Sequence, residues 1–210
     1  SHTQAPNSVS DMAAKEFKSL LEEKSGGSLK VSIATNCGLS GGDLTKALEM
    51  TSAGDIDIHA AAPTNAANFD PRFYVFWLPF MFPTIDSLLN VCASEEIYEE
   101  VDSWCAEMDM KMLGFHNAGA RQISNSKKEI RTPADLKAMN IRVPGAQLFI
   151  DLCRDSFGAN PTAMDFSEVY TALQQKTIDG QENPVSVFES SKFNEVQQYI
   201  TQWDYVRDTT

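Results

Sequence analysis

The sequence lacks any run of apolar residues long enough to cross a bilayer, which takes about 20 residues. Its longest apolar patch, residues 73–82, is interrupted by Pro79. Positive charge is also scarce, because 17 Lys and Arg face 29 Asp and Glu and leave a net charge of −12. This charge repels nucleic acid and anionic lipid, so we expect no nucleic-acid partner.

Metal-binding and catalytic motifs are missing as well. The four cysteines show no C-x-x-C spacing and the three histidines are scattered, so we expect neither a metal nor a cofactor. No glycine-rich phosphate loop and no nucleophile motif occurs, which predicts a protein that is not an enzyme. Cys92 and Cys105 flank a predicted turn between two helices, and the sequence leaves open whether they form a disulfide.

The first half of the chain alternates between helical and strand periodicity. Residues 10–24 place apolar side chains at helical spacing and run into Gly26 and Gly27, which favours a glycine C-cap. Residues 29–33 and 55–58 alternate with period two and predict strands, separated by a helix over residues 43–53. Such alternation predicts an α/β fold with mainly parallel sheets.

The chain continues with a polar, turn-rich segment over residues 60–72, which predicts a loop with ligand-facing residues. Residues 84–110 predict two helices, and residues 111–116 a strand. Farther along, Thr132 and Pro133 suit the start of a helix, and Asp165 suits the N-cap of another, with Glu168 reaching back to it.

Arg142 stands out in the second half, in a short segment that ends at Pro144. Proline usually marks the end of a strand, and ligands of open α/β sheets bind at the carboxyl ends of the strands. A guanidinium can hold a carboxylate through two parallel hydrogen bonds. From spacing alone, however, an arginine paired with one of the many acidic residues is the simpler interpretation.

Four stretches of the second half occur together in one known family. They are GARQ at 119–122, IRTPADLK at 130–137, GANPT at 158–162 and DGQENP at 179–184, supported in the first half by SGG at 25–27, GDIDI at 54–58 and LPF at 78–80. In order and spacing they resemble the extracytoplasmic solute receptors, or P subunits, of tripartite ATP-independent periplasmic (TRAP) transporters. The likeness covers most of the chain.

This resemblance implies a two-lobed, periplasmic-binding-protein-like fold with a ligand cleft between the lobes. We expect lobe I over residues 1–117, a carboxylate-binding lobe II over residues 118–202 and a crossover back towards lobe I over residues 203–210. Members of the family continue beyond the position of Tyr205. We therefore expect the sequence to be part of a longer chain, in which a C-terminal segment completes lobe I.

The resemblance also implies functional residues. Arg142 matches the arginine that forms a two-pronged salt bridge with the substrate carboxylate. Arg121 matches a second arginine that reaches the ligand, although an ion pair within the protein is an alternative. Asn183 matches an amide that hydrogen-bonds the ligand. Phe166 matches an aromatic ring that lies along it, with a core position as the alternative.

Further candidates rest on their position alone. Asn7, Asn65 and Asn68 are expected near the pocket, where they would bond ligand hydroxyls. Trp203 lies near a histidine position of the family, which indicates a different substrate and a ring on which a sugar can pack. Glu182 is expected to be an internal acceptor for one of the arginines.

The function that the resemblance implies is a monomeric receptor outside the cytoplasm, either free in the periplasm or lipid-anchored. It would bind a small organic acid, such as a uronate or an aldonate, close by hinge bending and deliver the acid to a TRAP permease. Four-carbon dicarboxylates stay open as ligands. Two other classes also stay open: the ligand-sensing domain of a signalling receptor, and an enzyme acting on a carboxylate with an acidic residue or Cys153 as the reactive group.

Overall fold

The computed structural model describes residues 1–210. Its α-helices are α1 Val9–Lys24, α2 Leu44–Ser52, α3 Pro63–Ala66, α4 Ile85–Cys92, α5 Glu95–Ala106, α6 Gln147–Asp151, α7 Val169–Gln174 and α8 Val185–Ser190. Its strands are β1 Asn117–Asn125, β2 Asn140–Val143, β3 Asn160–Ala163, β4 Gly180–Pro184, β5 Tyr199–Thr201 and β6 Arg207–Thr209. None of the helices combines the length and the apolar character that a bilayer span requires.

The helix ends of the first half follow the local chemistry of the sequence. Ser8 caps α1 by accepting a hydrogen bond from the Asp11 amide, and Gly26 and Gly27 follow the helix with positive φ angles of 59° and 79°. Asp43 caps α2 in the same way through the Lys46 amide. The predicted helices over residues 10–24, 43–53 and 84–110 are therefore confirmed, the last as α4 and α5.

One mixed, six-stranded sheet organises the second half, with the order β3-β2-β4-β1-β5 and β6 paired to β1. Strand β2 is parallel to β3 and β4, while β1 runs antiparallel to β4, β5 and β6. The parallel character that the sequence predicts is thus confined to three strands. The register between β1 and β6 shifts between Asn117 and Gly119, so β1 bends as it passes from one set of partners to the other.

Three strands predicted by periodicity are not formed. Residues 29–33, 55–58 and 111–116 join no ladder, and residues 55–57 form a bend instead; the first half has only an isolated bridge between His2 and Ala60. An alternating pattern specifies which side faces a core, whereas a ladder also needs a neighbouring strand in register. Leu29 is accordingly 51% exposed.

Three local predictions of the sequence also need correction. Residues 60–72 are not a plain loop, because they contain the single turn α3 and the start of a 3-10 segment, Pro71–Trp77. Asp165 precedes the 3-10 turn Phe166–Glu168 but makes no capping hydrogen bond with its side chain, and Glu168 does not reach back to it. At Thr132 the predicted helix start is a 3-10 turn, Pro133–Leu136, and the Thr132 amide donates to the Asp135 carboxylate at 2.8 Å.

One large apolar cluster packs the first half of the chain against the sheet of the second half. Trp77 meets Phe149 edge-on with ring centroids 4.8 Å apart, and Phe149 in turn meets Tyr205 at 6.4 Å. A smaller cluster around Phe193 lies beneath α7. All four cysteines, including Cys92 and Cys105, are free thiols. Residues on both sides of position 117 therefore share a core that can hold a site between them.

Gly180 offers a direct test of this sheet, because it pairs with Asn125 of β1 on one side and Ile141 of β2 on the other. A Cβ at Gly180 would lie 2.3 Å from the Ser124 carbonyl oxygen. We expect Gly180→Ala to lower the free energy of unfolding by about 1–3 kcal/mol or more, measured by urea denaturation.

The matched control is Gly38→Ala, since a Cβ there meets no atom within 4 Å. Equal stabilities of the two variants would contradict the central placement of β4.

Candidate functional site

A cavity with about 510 Å³ of open space lies between the first half of the chain and the carboxyl ends of the sheet strands. Its polar lining comes from sequence-distant elements: Thr3, Gln4, Asn65, Arg121, Arg142, Asn183, Asp208 and Thr210. Its apolar lining includes Trp77, Pro144 and Phe166. The cavity therefore combines two arginines with one carboxylate and several neutral polar groups.

Arg142 lies near the end of β2 and is only 2% exposed. Its Nε and Nη2 donate hydrogen bonds of 3.1 and 2.9 Å to the Met164 carbonyl, and it forms no salt bridge within the chain. The Phe166 ring lies 5.8 Å from its guanidinium carbon. Burial lowers the pKa of Arg142 to about 10, so the side chain still carries its charge at neutral pH. A buried cation without a paired anion is costly, so Arg142 is the candidate position for a bound anion.

Arg121, on β1, is buried to the same extent but is fully paired. Its Nε and Nη2 donate to the two carboxylate oxygens of Glu182 at 2.6 and 2.8 Å, and its Nη1 donates to Asp208 at 2.6 Å. The guanidinium also stacks on the Trp77 ring at 4.3 Å. Although burial lowers the pKa of Arg121, the Glu182 and Asp208 carboxylates more than offset this and raise it above the ordinary value.

These contacts bear on two predictions from the sequence. Glu182 is confirmed as an internal acceptor for an arginine. Arg121 lines the cavity, and in this structure its charge is balanced by protein carboxylates. Its direct contact with a ligand stays a prediction.

Asn183 and Asp208 complete the polar wall around Arg121. The Asn183 amide oxygen accepts a 3.1 Å hydrogen bond from Arg121, and its nitrogen donates to Gln181 at 2.6 Å. Asp208, on β6, also accepts a 2.7 Å hydrogen bond from the Trp77 indole. Burial raises the pKa of Asp208 to about 6, against the lowering effect of Arg121, so the carboxylate is ionised at neutral pH.

The other predicted site residues divide into two groups. Phe166 and Asn65 line the cavity. Asn7 does not, because it lies in an exposed turn before α1, where its amide donates to Asp11. Asn68 donates to the Gly145 carbonyl at 3.1 Å. Trp203 packs on Tyr205 at 4.5 Å and borders a separate apolar cavity, so its ring is not placed for a ligand in the first one.

Sequence reasoning missed Thr3, Gln4, Asp208, Thr210 and the Met164 carbonyl. Asp208 and Thr210 follow the motif-bearing stretches and belong to no recognisable pattern. The Met164 carbonyl is a main-chain group, whose role depends on the fold rather than on the residue type. Trp77 could be foreseen only as an aromatic residue in an apolar run.

Comparisons with known proteins agree with the overall fold. The model of the family described as bacterial extracellular solute-binding protein, family 7, matches residues 1–205. The 2,3-diketo-L-gulonate-binding periplasmic protein YiaO of Escherichia coli (strain K12) is 32% identical over 190 residues, which are 90% of this chain and 57% of that protein. The chain therefore spans a little more than half the length of this curated relative.

Solved structures share the fold closely. A TRAP periplasmic solute binding protein from Sulfitobacter sp. NAS-14.1, with bound β-D-galacturonate, has a TM-score of 0.93 at 27% identity, covering 99% of this chain and 68% of that one. Another, from Sulfurospirillum deleyianum DSM 6946 with bound succinate, has a TM-score of 0.90 at 30% identity, covering 99% of this chain and 66% of that one.

The Arg121 network can be tested through its bidentate partner. We expect Glu182→Gln to lower the free energy of unfolding by roughly 3 kcal/mol or more, because breaking a buried ion pair leaves Arg121 short of one anion. Denaturation with urea at neutral pH measures the loss.

Glu129→Gln is the control, since Glu129 forms its 2.6 Å ion pair with Arg131 at the surface. Surface pairs of this kind contribute about 0–1 kcal/mol. If both variants unfolded at the same urea concentration, the network would not have the structural role described above.

Proposed function

Because this chain belongs to family 7 of the bacterial extracellular solute-binding proteins, we propose that it forms part of a receptor for a small organic acid. The receptor works outside the cytoplasm and delivers the acid to a TRAP membrane permease. Solved neighbours named as TRAP periplasmic solute binding proteins support this assignment.

The observation that carries the proposal is the buried, unpaired charge of Arg142. Two of its five N–H groups are held by the Met164 carbonyl, which leaves both terminal nitrogens with donors for a carboxylate. The main-chain bonds fix the plane of the guanidinium before the ligand arrives. A ligand carboxylate then supplies the anion that the protein itself does not provide, and burial strengthens the pair as water leaves.

The ligand class follows from the same lining. One carboxylate binds Arg142, while the neutral polar groups Thr3, Asn65 and Asn183 can bond hydroxyls in the rest of the molecule. Sugar acids such as uronates and aldonates fit this requirement. A neighbour with bound β-D-galacturonate supports sugar acids as the ligand class. Another neighbour has bound succinate, so dicarboxylates are the second candidate class.

Closure of the cleft is part of the proposal. The Asn68 side chain donates to the Gly145 carbonyl, and the Tyr74 hydroxyl accepts from the Gln147 amide, both at 3.1 Å. These contacts join the proposed lobes over residues 1–117 and 118–202. They would break when the cleft opens to exchange the ligand.

No reaction is included in the proposal, because the relatives and neighbours are named as binding proteins. Cys153 is the thiol that an enzyme alternative would use. Burial raises the pKa of Cys153 to about 11, so this thiol is protonated and unreactive at neutral pH.

The decisive experiment compares the two buried arginines in the full-length protein. We expect Arg142→Gln to abolish binding of carboxylates in calorimetry and Arg142→Lys to weaken it by about tenfold or more, since lysine offers only a point charge. Arg142→Gln should largely keep its stability to urea, because it removes an unpaired buried charge.

Arg121→Gln is the matched comparison. It should lose stability to urea, because Glu182 and Asp208 would remain as buried carboxylates without a cation. Ligand should raise the melting temperature of the wild type and not of Arg142→Gln. Unchanged affinity in Arg142→Gln, or a panel of organic acids that leaves the wild-type melting temperature unmoved, would refute the proposed function.

A further inference from the structure

The cavity wall contains a carboxylate of its own. Asp208 is 3% exposed, lines the cavity and is held from two sides, by Arg121 Nη1 at 2.6 Å and by the Trp77 indole at 2.7 Å. An ionised carboxylate can accept about four hydrogen bonds. Asp208 therefore has acceptor capacity left for a ligand donor.

The charges around the cavity decide what it can hold beyond the first carboxylate. Arg121 and Arg142 are the only cationic side chains in its lining, and Arg121 is already paired with Glu182 and Asp208. The single unpaired cation is Arg142. A second ligand carboxylate would thus be buried with Asp208 in the same cavity and without a cation to pair with.

Neutral groups of the lining also favour hydroxyls over a second acid. The amide oxygen of Gln4 is buried and has no hydrogen-bond donor within the chain. It lines the same cavity as Asp208. As placed, both oxygens accept hydrogen bonds, so the complementary ligand atom is a donor such as a hydroxyl, whereas a carboxylate would oppose the charge of Asp208.

We propose that Asp208 is a specificity-determining residue, which restricts the ligand to hydroxylated acids with a single carboxylate and excludes dicarboxylates. This inference rests on the proposed function, since it assumes that the first carboxylate binds Arg142. It selects among the ligands that the proposed function leaves open. Like charges buried together penalise the wrong ligand, and that repulsion gives the selectivity.

Ligand sets that differ in one group provide the test on the full-length protein. Galactonate and galactarate share six carbons and differ only in whether carbon 6 is a hydroxymethyl group or a carboxylate; hexanoate has the same chain length without hydroxyls. Erythronate, meso-tartrate and butyrate form the corresponding four-carbon set. In calorimetry we expect the hydroxylated monoacid of the better-fitting length to bind about tenfold or more tightly than its diacid. It should also bind more tightly than its unsubstituted acid.

Asp208→Asn then assigns the selectivity to this residue. We expect the ratio of diacid to monoacid affinity to rise towards one, because the repelling charge is gone. Asp109→Asn is the control, since Asp109 is exposed and should leave the ratio as in the wild type. If Asp208→Asn does not fold, the ratio of diacid to monoacid affinity in the wild type tests the proposal, and a ratio of one overturns it.

The outcomes separate this inference from the proposed function. A diacid that binds the wild type as tightly as its monoacid, and loses binding in Arg142→Gln, would leave the receptor intact and overturn the role of Asp208. An amino acid of the same chain length that binds more tightly than the hydroxylated monoacid would also overturn the role of Asp208. If no acid binds at all, both proposals fail together.

Discussion

The salt bridges of Arg121 are the interaction on which the arrangement of the site depends. This guanidinium, on β1, holds Glu182 of β4 and Asp208 of β6 at once and lies against Trp77 from the first half of the chain. Burying such groups is costly, and only close pairing offsets the cost. The pairing therefore requires that three strands and the 3-10 segment meet at one place, which is the wall of the cavity.

Once Arg121 is balanced in this way, Arg142 becomes chemically distinct although both arginines are equally hidden from solvent. Arg142 receives only carbonyl acceptors from the protein, and its pKa is lowered by burial rather than raised by partners. The buried, unpaired charge of such a site destabilises the folded protein, and binding of an anion stabilises it again. Orientation by Met164 also means that little rotational freedom is lost on binding.

The sequence was informative where chemistry is local. Pro144 marks the end of β2, and this placed Arg142 at the correct edge of the sheet; Gly26 and Gly27 likewise indicated the end of α1. It was uninformative where distant segments must meet. Nothing near Arg121 indicates that Asp208, far along the chain, would pair with it, and residues 29–33 alternate like a strand without finding a partner in register.

Trp203 is a second residue whose contacts could not be predicted from its position in the sequence. Its position near a family histidine suggested a sugar-facing ring, yet the ring packs between Phe157 and Tyr205. Tyr205 in turn donates its hydroxyl to Glu182, the carboxylate that holds Arg121. Trp203 thus packs in the layer behind Arg121 and not in the lining of the cavity that contains the two arginines. The charge balance that distinguishes Arg142 from Arg121 therefore depends partly on residues outside the cavity lining, because Tyr205 bonds the carboxylate that pairs with Arg121.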